Sequence, residues 1–96
     1  MEEKQIDDVK KILADAVILE NSCAMVAGVV LQYRLLATHT REFWIEVSGR
    51  NEVVAASLGT DLRCAIGYFD RIVEGGATPC SVCDVVADLL WSDTAV

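Results

Sequence analysis

Basic residues are scarce. Eight Lys and Arg stand against 15 Asp and Glu, for a formal charge of −7. A field of that sign repels phosphate backbones, and no local basic patch relieves it, so nucleic-acid binding is disfavoured. Long apolar runs are missing as well. The longest, Cys23–Leu31 ("CAMVAGVVL"), falls far short of the about 20 residues a membrane span needs. The start, "MEEKQIDD", has neither the basic n-region nor the apolar h-region of a secretory signal. Together these absences predict a cytoplasmic protein whose cysteines are thiols. Histidine occurs once, as His39, in a short connector with no nucleophile or paired carboxylate placed against it, which leaves general-base chemistry without a second group. The glycines show no phosphate-cradling spacing.

What is abundant is apolar material, 53% of a 96-residue chain. That is enough for one domain spanning 1–96 with its own core, and disorder is excluded by the same excess. In so small a chain the surplus is hard to bury completely, which favours self-association or a partner surface.

Periodicity predicts an α+β fold. Over residues 2–20, Ile6, Val9, Leu13, Ala16 and Val17 share one helical stripe, with acidic residues in the first turns where the helix dipole favours them. Asn21-Ser22 reads as its stop. Three β-type runs follow within 29–58: Val29–Ala37, Arg41–Ser48 and Glu52–Leu58. In "REFWIEVS" Phe43, Ile45 and Val47 alternate with Glu42, Trp44 and Glu46, and Gly49-Arg50-Asn51 supplies a tight turn. The simplest arrangement is a three-stranded antiparallel meander, packed against two C-terminal helices at 60–74 and 79–91, with the N-terminal amphipathic helix in addition. Thr60 or Asp61 caps the first of these helices, whose stripe is Leu62, Ala65, Ile66, Phe69, Ile72 and Val73, and Gly75-Gly76 ends it. Thr78 caps the second, with Pro79 at its first position and Val82, Val85, Val86, Leu89 and Leu90 as its stripe.

The segments "TDLRCAIGYFDRIVEGG" and "TPCSVCDVVADLL", following a strand hairpin, resemble a family of small bacterial proteins of unknown function. The likeness rests on Thr60, Asp61, Thr78, Pro79, Asp84, Val85, Val86, Asp88, Leu89 and Leu90, and it covers Val29 to Trp91. It implies a compact α+β domain, and that the positions of Cys80 and Cys83 are ordinarily apolar. It brings no activity and no catalytic residues.

Cys80 and Cys83 form the single Cys-x-x-Cys. Zinc wants two such pairs, and Cys23, Cys64 and His39 supply no second one. A redox pair is physically better, since a thiolate near a helix N-terminus meets the positive end of the dipole. The motif nevertheless follows a Gly-Gly connector instead of a strand. As a helix start that contains two cysteines, with Cys83 beside Val86 and Leu90, it needs no chemistry at all. Asp84 and Asp88, one turn apart, read as the wet face opposite the valines. The terminal "DTAV" places Thr94 and Val96 as in peptide ligands of carboxylate-binding domains, or as a frayed end. Trp44 is different. A tryptophan on a polar strand face wants cover, from the N-terminal helix, a second subunit or a partner.

The residues therefore predict no cofactor, no metal and no catalytic group. They predict a non-enzymatic interaction or regulatory module, with Trp44, Arg34 and Leu58 as candidate interaction residues and a homodimer as its expected state. The alternative is a small thiol-redox or metal-binding protein using Cys80 and Cys83.

Overall fold

Left-handed backbone at the turns decides how this chain pleats. The computed structural model describes residues 15–94. Its first two strands, β1 (Val17–Val26) and β2 (Val29–Ala37), are joined by Ala27-Gly28 with φ of 53° and 81°. Positive φ at both central residues is the type I′ turn, whose twist matches that of the strands it joins. The same turn, Arg50-Asn51 with φ of 53° and 65°, joins β3 (Phe43–Gly49) to β4 (Glu52–Gly59). Between β2 and β3 the Arg41 amide donates to the Thr38 carbonyl (2.9 Å), and Arg41 itself takes φ 66°. Thr38 ties this loop further, its hydroxyl meeting Thr40 Oγ1 at 2.8 Å and accepting from the Glu42 amide at 3.1 Å.

The result is a four-stranded antiparallel meander in the order β1-β2-β3-β4. This corrects the expected three strands. It also corrects the expected helix over 2–20: Val17–Glu20 belong to β1, Asn21-Ser22 lie mid-strand instead of stopping a helix, and residues 2–14 lie outside the described residues. The reason is a bulge between Ile18 and Glu20. It shifts the side-chain alternation by one and hides the strand's period of two.

Two helices follow, α1 (Leu62–Gly75) and α2 (Val82–Thr94). Asp61 caps α1, its carboxylate accepting from the Cys64 amide at 3.2 Å. Gly76 ends it at φ 66°, with the Ala77 amide reaching back to the Ile72 carbonyl (3.3 Å), a Schellman closure. Ahead of α2 a turn over 79–81 is tied by Thr78. The Thr78 carbonyl accepts from the Val82 amide (2.9 Å), and Ser81 Oγ accepts from the Thr78 amide (3.0 Å). The helix proper therefore starts at Val82, later than the expected 79, and runs to Thr94, beyond the expected 91.

Both helices cover one sheet face. Leu31, Tyr33 and Leu35 of β2, Phe43, Ile45 and Val47 of β3 and Leu58 of β4 form one buried cluster with Ala65, Tyr68, Phe69 and Ile72 of α1 and Val82 and Val86 of α2. Burying each large side chain is worth roughly 1.5–3 kcal/mol, so this cluster carries the fold. Tyr33 sits at its centre, fully buried, and its hydroxyl donates to the Ala77 carbonyl at 2.9 Å. The bond fastens the α1–α2 connector to the middle of the sheet. On α1 the buried line runs through Ala65, Tyr68, Phe69 and Ile72, whereas Leu62 and Ile66, expected in the stripe, are exposed.

Candidate interaction surface

The strand register sorts every alternate side chain onto the face away from the helices. Ile18 lies opposite Leu36, which lies opposite Trp44, which lies opposite Ser57. The next row is Asn21, Arg34, Glu46 and Ala55, and beyond it come Cys23, Gln32, Ser48 and Val53. Met25 and Val30 close the face at its turn end.

Each row has its own character. Leu36 is only 5% exposed although it points away from the core cluster, and the Trp44 indole N–H is buried without a hydrogen-bond partner. In the middle row Arg34 Nη1 meets Glu46 Oε1 at 3.5 Å and Nη2 meets Gln32 Oε1 at 3.3 Å, while Nε is buried and unpartnered. An unpaired buried N–H costs about 1–3 kcal/mol. This face is thus not an ordinary solvated surface. At the turn end the opposite holds: Met25, Val30 and Val53 are open to solvent, at 71%, 61% and 63%. A polar ion pair flanked by apolar residues on both sides resembles the anatomy of a recognition surface more than that of a wet face.

Of the candidate interaction residues, Trp44 and Arg34 share this face, two residues apart along the register. Leu58 does not join them. It points into the core and is 2% exposed, because it continues the inward line of Val54 and Ala56 along β4. Leu31, also apolar beyond what a wet face needs, is likewise core. Met25 and Val30 face each other across β1 and β2, and the sequence pattern, which predicts no strand over 17–26, assigns Met25 to no face.

The cysteines are all free; Cys23, Cys80 and Cys83 are exposed and Cys64 is partly covered. Cys83 was expected to be buried beside Val86. Instead α2 turns Val82 and Val86 inward, and the position next to Val82 is carried about 100° around the helix into solvent. Cys80 lies at the rim of a cleft of about 300 Å³ between the hairpin tips and the α1–α2 connector, together with Val26, Leu31, Arg50, Glu52 and Pro79. Among the described residues no three His, Cys, Asp or Glu side chains come together as metal ligands. His39 is exposed in the β2–β3 loop, Asp84 and Asp88 are exposed on α2, Thr94 ends α2, and Val96 lies outside the described residues. No helix among the described residues is long and apolar enough to cross a membrane. No protein-family model, curated protein or solved structure matches the chain.

Proposed function

We propose that this protein is a non-enzymatic interaction or regulatory module of the bacterial cytoplasm, working as a homodimer, and that the sheet face carrying Arg34 and Trp44 is its recognition surface. The observation that carries this reading is the open apolar end of that face, Met25, Val30 and Val53, continuous with the Arg34–Glu46 pair and the shielded Leu36–Trp44 row. Apolar residues exposed side by side on one strand face favour a protein partner over water. The acidic balance opposes close approach of two copies, so association tightens as salt screens it. Light scattering on a dilution series in high salt should report about twice 10.4 kDa. A mass that stays at 10.4 kDa at high concentration refutes the dimer. Trp44→Glu should weaken recognition at this face.

A second reading is favoured by the exposure of both Cys80 and Cys83 on neighbouring turns, with Cys80 at the rim of the cleft. In it the pair cycles between dithiol and disulfide. Alkylation of Cys80 at pH 7 no faster than that of free cysteine ends that reading.

A further inference from the structure

The sheet ends in two edge strands, β1 and β4, and β1 is the longer, ten residues against eight. Among the described residues nothing pairs with its outer edge, since β1 is the first strand of the sheet. β4, the other edge strand, packs with α2 on the sheet face that both helices cover. An unpaired edge strand presents a row of N–H and C=O groups that invites another strand unless it is guarded by Lys, Pro or a bulge. β1 is ten residues long with neither Lys nor Pro, and it holds one charged residue, Glu20, in a chain of charge −7. Its bulge lies between Ile18 and Glu20, so Glu20–Val26 is the regular part.

The direction of the free groups follows from the turn. A two-residue type I′ loop is closed by a pair that exchanges both backbone bonds, here Val26 and Val29. Alternation along β1 then points the backbone groups of Ala24 and Ser22 toward β2, and those of Met25, Cys23 and Asn21 outward. The regular segment Glu20–Val26 has Cys23 at its midpoint.

We infer that two copies of this chain join edge to edge through β1, antiparallel about a two-fold axis at Cys23, to make one continuous eight-stranded sheet. This rests on the dimer reading above and names its interface. In that register Cys23 faces its own mate and Asn21 faces the mate's Met25, so the outward N–H and C=O groups of all three residues find partners. The outer faces of the two sheets become a single surface. Glu20 comes opposite the mate's Val26, which separates the two Glu20 carboxylates by six residues, or about 20 Å along the strand. That distance is beyond the screening length at physiological salt, so the only charges on the edge do not oppose its pairing. The occupant is a second copy and not a foreign strand because this one register satisfies the edge, separates its charges and is self-complementary.

The test uses the full chain in three forms. A variant with Cys64→Ser, Cys80→Ser and Cys83→Ser leaves Cys23 as the only thiol, and a short bis-maleimide should then link two chains in high yield. Cys23→Lys places two ammonium groups face to face, and should weaken the dimer severalfold while the exposed side chain leaves the monomer's melting intact. Cys23→Pro deletes an N–H that the monomer does not use, and should raise the dissociation constant by more than about tenfold. A monomer at every concentration overturns both the edge pairing and the dimer. A stable dimer that does not crosslink at Cys23 and is indifferent to both substitutions overturns the edge pairing alone and leaves the dimer standing.

Discussion

Removing one oxygen atom tests the centre of this fold. Tyr33→Phe keeps the ring in the core and deletes the hydroxyl that donates to the Ala77 carbonyl at 2.9 Å. The site is fully buried, so the carbonyl is left without that donor, at a cost of about 1–3 kcal/mol. A domain of this size shifts its Tm by about 4–8 °C per kcal/mol, so calorimetry should show a loss of roughly 5–20 °C. The bond anchors the connector between α1 and α2, so hydrogen exchange should rise first at 77–82 and much less in β2 itself. Alkali provides a second handle. Burial pushes the Tyr33 hydroxyl above its ordinary value of 10.0. A group whose value is raised by folding contributes fully below its unfolded value. That contribution fades as the pH climbs through the folded one, because folding must then take up a proton. The stability gap between parent and variant should therefore be flat from neutral pH to about 9 and close above about 10. A Tyr33→Phe protein that melts within about 2 °C of the parent, with an unchanged alkaline limb, would refute the placement of this hydroxyl.

Phe69→Ala should cost roughly 3–5 kcal/mol by emptying the space between α1 and the sheet, a large share of the about 5–15 kcal/mol that holds a domain folded. Melting within a degree or two of the parent would contradict the packing of α1. Gly49→Ala would drive its new methyl into Leu31 Cδ2 and to 3.3 Å from the Val30 carbonyl, and should cost roughly 1–3 kcal/mol in urea unfolding. No loss there would mean that β2 and β3 are farther apart than described. Asp61→Ala should cost about 1 kcal/mol through the lost cap and Asp61→Asn much less, and equal losses would assign the effect to charge instead of hydrogen bonding.

The parts of this protein legible in its sequence are those governed by neighbours along the chain. The Asp61 cap, the Gly76 closure, the Arg50-Asn51 turn and the alternation of Phe43, Ile45 and Val47 are set by backbone chemistry within a few residues, and they fold as the residue order predicts. So does the inward line of α2 through Val82 and Val86. A strand's period of two likewise sets Trp44 with Glu46, apart from Phe43, Ile45 and Val47, whereas only the register brings Arg34 onto the same face.

Tertiary structure alone decided the rest. Strand β1 was invisible because its bulge scrambles the alternation and its turn is Ala27-Gly28, where a non-glycine residue takes left-handed backbone with no Asn or Asp to announce it. Leu58 and Leu31 look alike in sequence to Val53 and Met25. Which of them is core depends on the side of the sheet the helices choose, a long-range outcome that no local pattern encodes. Leu62, Ile66 and Cys83 turned outward for the same reason: a helix fixes the angles between its residues, but only the surface it lands on fixes which angle points in.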